Sequence, residues 1–430
     1  MADRLVIGAV ATGEGKTLAG LALAALFARR GVPVQPFKIG PDYIDARLYE
    51  SVCGRAARNV DLWLDGPQKV RSHVDGVSRG SFALLEGMMG LFDGDDSGET
   101  STAHVAAILN APVVLVIDLW RMSQSAAAIA LGCAQMYPRV EIAGVILNRA
   151  GGAAHENAVR EAFRRTGTEV IAVLPHRTDW VIPERHLGLD RDRTSRVAEI
   201  ASSVADVLEP QIDPAFFLFA AGDSQPQAHS AGRTTIAVAD DPALWFVYPE
   251  TIEALERAGA RAVSFSPLRD EAIPDGARGL WLGGGYPESH AAQLAQNEPM
   301  RRSIASAVAG GIPVYAECGG MMYLADEIET EGGVFPMCGV LRGRTSIARP
   351  KMHIGYRRAR ALHDSVFDNA GDEIRAYEFH YASESLAEEP AYAIDDVRAG
   401  AWRPRALASF LHRHFLAGDP AIERFVERCA

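Results

Sequence analysis

The chain contains no run of about 20 consecutive apolar residues, the length a helix needs to cross a bilayer, and no Cys-x-x-Cys pair. It also contains no arginine-rich block and no internal repeat. Each absence removes a class of protein. A membrane span is not expected. The five cysteines, Cys53, Cys133, Cys318, Cys338 and Cys429, are odd in number and widely spaced, which argues against a disulfide framework or a structural zinc site and for a reducing compartment. Basic residues number 43 against 55 acidic ones, giving a net charge of −12. That excess argues against a general nucleic-acid or anionic-membrane surface, but leaves room for a local basic pocket that takes a polyanionic small molecule. The apolar run at residues 4–10 is too short for a signal peptide, so a cytoplasmic protein is expected.

What is present is an ordinary globular composition, 48% hydrophobic and 23% charged, on a chain of 430 residues. That length exceeds what one core usually organises, so two or more domains are expected. Residues 5–10 read as a buried strand. They run into Ala11-Thr12-Gly13-Glu14-Gly15-Lys16-Thr17 and then into an alanine- and leucine-rich helix that ends near residue 30. Strand, glycine loop, Gly-Lys-Thr and helix together make a phosphate cradle. The amides of Thr12, Gly13, Glu14 and Gly15 would hold an anion, Lys16 would reach the terminal phosphates, and the Thr17 hydroxyl would bind magnesium. Val10 stands where the strict pattern has glycine.

A second strand, 34–39, ends in Gly40-Pro41-Asp42-Tyr43-Ile44-Asp45. Two carboxylates at the C-terminal end of a strand suit the mouth of a parallel sheet, where they can hold magnesium or orient a substrate; a polar turn is the alternative. A third run, 82–86, closes on Glu86 and is followed by Gly87-Met88-Met89-Gly90-Leu91-Phe92-Asp93-Gly94. An acid that ends an apolar strand is the usual second element of a magnesium site beside a phosphate loop, which makes Glu86 the metal-site carboxylate. Strands at 112–118, 142–148 and 169–174 are continuously apolar and alternate with helical stretches, as in a parallel sheet covered on both faces. Asn148 and Arg149 end one of them and can contact a nucleotide base or serve the fold.

After a helix to about residue 208, the stretch 210–232 loses periodicity and collects Pro, Gln, Ser, Gly and Ala. The expected organisation is therefore a first domain at 1–209, a linker at 210–232 and a second α/β domain at 233–430. An apolar island at Phe216-Phe217-Leu218-Phe219 is expected to pack on one of the domains. In the second half, strand 234–239, a helix at 249–257 and strand 262–265 lead to strand 279–282, which runs into Gly283-Gly284-Gly285. Glycine there lets backbone amides approach a ligand, so Gly284 or one of its neighbours is a candidate oxyanion group. An apolar strand from 313 then reaches Glu317-Cys318-Gly319-Gly320. Ala316 and Gly320 flank the cysteine at the spacing of a strained strand-to-helix elbow, whose first helical amides, beginning with Gly319, would lower the thiol pKa and complete an oxyanion site. A buried core thiol is the competing reading. The run 406–415 reads as one apolar strand that ends on His412 and His414, either of which can be the base; His353 and His380 compete for that role.

The order of these parts resembles the cobyrinic acid a,c-diamide synthase family, including its hydrogenobyrinic acid branch, over nearly the whole chain. The resemblance rests on the phosphate loop, on Lys38-Ile39-Gly40-Pro41-Asp42-Tyr43-Ile44-Asp45, on Glu86 to Gly94, and on the C-terminal set of Gly283 to Glu288, the Cys318 elbow and Ser409-Phe410-Leu411-His412. It implies an α/β protein with a dethiobiotin-synthetase-like ATP domain followed by a class I glutamine amidotransferase domain of flavodoxin-like fold. The nucleophile maps to Cys318, the base to His412 and the oxyanion amides to Gly284 and Gly319. Magnesium, with ATP as co-substrate, would be held by Thr17, Asp42 and Glu86, and Asp45 would position the substrate or catch ammonia. His414 departs from the glutamate that many class I amidotransferases carry two residues after the histidine, so the third member of the site is missing.

The implied activity is that of a cytoplasmic ligase. Glutamine is hydrolysed at Cys318, and the ammonia amidates two acetate carboxylates of a corrinoid that ATP has activated. The implied partners are ATP, L-glutamine and a corrinoid polycarboxylate, with a homodimer left open. The rival readings are another corrinoid or tetrapyrrole amidase, such as cobyric acid synthase or a nickel-sirohydrochlorin a,c-diamide synthase, and a phosphate-loop nucleotide switch.

Overall fold

In the computed structural model, residues 3–95, 97–182, 191–213, 216, 232 and 234–430 are described, apart from the side chains of 191–194. The chain divides into two compact units, Met1–Pro226 and Gln227–Ala430. Most of the linker expected at 210–232 lies outside the described residues. Of the apolar island only Phe216 is described, and its ring packs on Phe27, 6.1 Å between centroids.

The first unit is built on β1 (Arg4–Ala9), α1 (Lys16–Arg29), β2 (Val34–Ile39), α2 (Ile44–Cys53), β3 (Arg58–Val60), α3 (Leu62–Val77) and β4 (Phe82–Glu86). It continues through α4 (Thr102–Leu109), β5 (Val113–Asp118), α5 (Ser125–Met136), β6 (Ile142–Ala150), α6 (Ala153–Thr166), β7 (Val170–Pro175) and α7 (Arg191–Leu208). The seven strands form one sheet in the order β3-β2-β4-β1-β5-β6-β7, with every pairing parallel. Successive residues of β1 serve opposite faces: Leu5, Ile7 and Ala9 join the core beneath α1, and Val6 joins the core on the other face. This two-sided burial explains why the strands read as unbroken apolar runs. It also sets the phosphate loop between the C-terminal ends of β4 and β5, the end at which parallel sheets bind ligands.

The second unit contains β8 (Thr234–Ala239), β9 (Leu244–Phe246), α8 (Pro249–Arg257), β10 (Ala260–Phe265), β11 (Ala277–Leu282), β12 (Gly284–Gly285), α9 (Ala291–Gln296), α10 (Glu298–Ala309), β13 (Val314–Glu317) and α11 (Gly319–Leu324). Then come β14 (Ala325–Thr330), β15 (Gly333–Pro336), β16 (Leu341–Ser346), β17 (His353–Ala361), β18 (Glu373–His380), β19 (Ser383–Leu386), β20 (Tyr392–Ile394) and β21 (Val397–Ala399). The chain closes with β22 (Ala401–Arg403), β23 (Ala406–Ser409), β24 (Leu411–His412) and α12 (Pro420–Cys429). The main sheet runs β10-β8-β11-β13-β23-β22 and is parallel except at β22.

One difference from the sequence expectation bears on the site. The run 406–415 is not one strand. It breaks at Phe410, so that β23 stays in the main sheet beside β13 while β24 pairs with β18 in a separate five-stranded sheet. The region 325–403, where no strong apolar pattern stands out, supplies two smaller sheets, one of which carries β18 to the cysteine.

Candidate active sites

In the first unit, Gly13 and Gly15 take positive φ angles of 90° and 104°, and Gly15 is the residue from which α1 starts. A side chain at Gly15 would also collide with the Asn148 amide, so only glycine fits. The loop is tied down from two strands. Asn148 Nδ2 donates to the Glu14 carbonyl at 2.9 Å, and the Asp118 amide donates to Glu14 Oε2 at 2.6 Å. Burial raises the Glu14 pKa. Asn148 thus holds the loop, and Arg149 is paired with Asp118 and lies 5.9 Å from the exposed Trp120 ring.

Lys16 folds across the loop, donating to the Ala11 carbonyl at 3.0 Å and the Met89 carbonyl at 2.6 Å. Burial, with the charge of Lys38 adding to it, lowers the Lys16 pKa. A phosphate that took the place of these carbonyls would reverse that pressure, because the ammonium would gain an anionic partner.

Thr17, Lys38 and Tyr49 converge on Glu86, and Asp45 joins them through Lys38. Thr17 Oγ1 donates to Glu86 Oε1 at 2.7 Å. Lys38 Nζ donates to the same oxygen at 2.7 Å and to Asp45 Oδ2 at 2.8 Å, and Tyr49 donates its hydroxyl to Glu86 Oε2 at 2.7 Å. Glu86 has no exposed surface. Burial opposes the charge on Lys38, but the Glu86 and Asp45 carboxylates more than offset it and raise its pKa. The Asp42 carboxylate accepts from the Ile44 and Asp45 amides at 2.8 and 3.0 Å at the start of α2. The Thr17 hydroxyl and the Glu86 carboxylate are hard oxygen donors of the kind magnesium prefers, and the Lys38 ammonium stands on the same Glu86 oxygen. Lys38 and Tyr49 were not among the expected site residues. A lysine inside the fully buried strand at 34–39 was the available signal for the first; Tyr49 gave none.

In the second unit, Cys318 follows β13 and caps α11 with φ 46° and ψ −105°, a strained backbone that a non-glycine residue rarely adopts. The elbow exists because its neighbours are small. A side chain at Gly320 would strike the Leu282 carbonyl oxygen, and one at Gly319 would sit 3.0 Å from the Gly285 nitrogen. Gly284 lies against the imidazole, since a Cβ there would be 2.8 Å from His412 Cε1. The Cys318 amide donates to the Ser409 carbonyl at 2.7 Å, which ties the elbow to β23. Cys318 Sγ is 3.8 Å from the Phe379 carbonyl, and His412 hydrogen-bonds to the same carbonyl. Strand pairing sets up this meeting: Tyr377 is opposite His412 and Glu378 is opposite Leu411.

The electrostatics correct one expectation. Helix amides do not leave this thiol acidic; burial, with the charge of Glu288 adding to it, pushes the Cys318 pKa up. Burial, reinforced by His380, lowers the His412 pKa to about 4. At neutral pH the pair is therefore thiol and neutral imidazole, so the thiolate must be made by transfer of its proton to a base during attack. His414 is turned away, its ring edge-on to Tyr248 with centroids 4.8 Å apart. His380 Nδ1 is 2.7 Å from the Ala382 carbonyl and Nε2 is 3.1 Å from Glu378, while His353 stacks on it at 4.8 Å.

Two family models cover most of the chain. A CobQ/CobB/MinD/ParA nucleotide binding domain matches residues 5–189, and a CobB/CobQ-like glutamine amidotransferase domain matches residues 235–420. Among curated proteins, the hydrogenobyrinate a,c-diamide synthase of Streptomyces coelicolor is 37% identical, over 99% of this chain and 97% of its own length. The cobyrinate a,c-diamide synthase of Syntrophotalea carbinolica is also 37% identical, over 99% and 98%. The hydrogenobyrinate a,c-diamide synthase of Mycobacterium bovis is 36% identical, over 99% and 98%.

Proposed function

The chain belongs to the cobyrinate and hydrogenobyrinate a,c-diamide synthase family, and from that premise we propose that it amidates the a and c acetate carboxylates of a corrinoid, using ATP and glutamine, in cobalamin biosynthesis. We assign the synthetase domain to 1–209, the linker to 210–232 and the amidotransferase domain to 233–430. The break between compact units and the limits of the two family models support that division. The five free thiols support a cytoplasmic setting.

In the second unit Cys318 attacks the side-chain amide carbon of glutamine while its proton passes to His412. The imidazolium returns that proton to the leaving nitrogen, and ammonia departs from a thioester. Water, deprotonated by the same imidazole, then releases glutamate and restores the thiol. Backbone amides at Gly284 and Gly319 are assigned to the oxyanion that forms in each half-reaction. In the first unit a substrate carboxylate oxygen attacks the γ-phosphorus of ATP and ADP leaves. Ammonia then displaces phosphate from the acyl phosphate to give the amide. Thr12 to Gly15 cradle the phosphates, Lys16 follows their charge, and Asp45 with Lys38 faces the carboxylate to be activated. Magnesium would be held by Thr17, Glu86 and Asp42, where it supplies neutralisation of phosphate charge.

The observation that carries this reading is the presence on one chain of a phosphate loop whose Thr17 meets Glu86 and a strained Cys318 that shares the Phe379 carbonyl with His412. A nucleotide switch has no use for the second. The test is to incubate the protein with ATP, magnesium, glutamine and a panel of metal-free and cobalt-bearing a,c-diacids, and to count oxygen-to-nitrogen exchanges by mass. Two exchanges on one substrate are expected. One or none on every corrinoid offered would refute the assignment, and the preferred member of the panel identifies the branch.

A further inference from the structure

A buried imidazole that must take and return a proton needs a partner on its second nitrogen, to fix the tautomer and stabilise the imidazolium. The residue two places after His412 does not provide one. It is His414, which faces Glu250 at 3.9 Å and packs on Tyr248. Of the carboxylates near His412, Glu378 is engaged by Arg357 at 2.7 Å and by His380 at 3.1 Å. The remaining one is Glu317. Its Oε1 accepts from the Tyr315 hydroxyl at 2.7 Å and from the Arg413 amide at 3.1 Å, which leaves Oε2 as the oxygen nearest His412, 3.8 Å from Nδ1.

The placement follows from the chain. Glu317 is the last residue of β13, immediately before the nucleophile, and its carboxylate is anchored by the residue immediately after the base. One buried side chain therefore ties together the two strand ends that carry the thiol and the imidazole. The separation of 3.8 Å is longer than a hydrogen bond and closes with a shift of about 1 Å, a tightening common when a catalytic site fills.

We infer that Glu317 is the positioning residue of the glutaminase site, taking the role that His414 cannot, by holding the imidazole proton on Nδ1 in place of the bond that His412 makes to the Phe379 carbonyl, so that the other ring nitrogen is free to accept the thiol proton. The inference rests on the assignment of Cys318 and His412 as the glutaminase pair. The charged and titratable groups that act on His412 are Glu317 from β13 and Glu378 and His380 from β18, and Glu317 in turn meets Tyr315, Arg413 and His414. Burial pushes Glu317 up to about 7, so its carboxylate forms as the pH passes through neutrality.

The test is Glu317→Gln in the full chain. Its amide oxygen can keep the bonds from Tyr315 and Arg413, while its NH₂ presents donors where His412 needs an acceptor. Glutamine hydrolysis should lose about 100-fold or more in kcat, with KM for glutamine within about threefold of the parent. The rise of parental activity through about pH 7 should disappear, and Glu317→Asp should restore it in part. Amidation driven by added ammonium salt should persist with an unchanged thermal midpoint, which reports an intact fold. Glutaminase activity within about threefold of the parent would overturn the inference. So would a parallel loss of ammonium-driven amidation with a lowered midpoint, which would give Glu317 a structural role alone. Cys318→Ser is measured alongside: if it still hydrolyses glutamine, the glutaminase assignment itself fails, whereas an inactive Cys318→Ser beside an active Glu317→Gln removes only the role of Glu317.

Discussion

The charged residues that organise the two sites are buried, and burial decides their protonation. Glu86 and Lys38 lie buried side by side, with each carboxylate oxygen of Glu86 accepting a hydrogen bond and Lys38 donating to two carboxylates. Glu288 is in the opposite situation. Among the described residues its side chain has no ion-pair partner, and burial pushes its pKa up to about 7 against an ordinary value of 4.5. A group with a raised native pKa binds its proton more tightly folded than unfolded, so its contribution to stability is complete below pH 4.5 and is lost as the pH rises through 7. Replacing Glu288 with Gln removes that loss. The thermal midpoint of Glu288→Gln relative to the parent should therefore be higher at pH 8 than at pH 5, by about 2 °C or more, as followed by calorimetry. An equal difference at both pH values would mean that Glu288 is solvated in the native state.

At the scale of elements, local sequence was a good guide wherever glycine or continuous apolarity was required. The phosphate loop, the strands at 34–39 and 82–86 and the helix at 249–257 follow from pattern alone, because two-faced burial and positive φ leave few residue choices. The break between β23 and β24 did not, since Phe410 and Leu411 are as apolar as the residues before them and nothing local says that pairing passes from β13 to β18. The elbow gives the clearest element-level prediction. Gly320→Ala forces a methyl group against the Leu282 carbonyl, and that backbone cannot move without shifting β11. Glutamine hydrolysis should fall at least about tenfold, since misplacement of reacting groups by about 1 Å can cost about 100-fold, while amidation with ammonium salt is retained. Unchanged glutaminase kinetics would show that the elbow tolerates a wider turn.

At the scale of the molecule, two compact units divide one reaction, and each half should be removable without the other. Cys318→Ser is expected to abolish amidation from glutamine and to spare amidation from ammonium salts. Lys16→Ala should stop amide formation from either nitrogen source, by at least about 100-fold, because carboxylate activation is common to both. Measuring both activities for both variants checks the scheme: equal loss in a folded Cys318→Ser, or ammonia-driven synthesis surviving in Lys16→Ala, would break it.

By itself the sequence determined the two α/β halves, the phosphate loop and the candidate nucleophile, because those depend on short-range demands such as backbone freedom at glycine, apolarity along a strand and small residues beside a turn. Tertiary structure alone decided what those residues meet. It brought Lys38 and Tyr49 to Glu86, turned His414 away from the thiol, set Glu317 beside His412 and made the thiol a weak acid. The reason is that distance between side chains remote in sequence, and the dielectric around them, are properties of packing, and no local pattern of residues encodes either one.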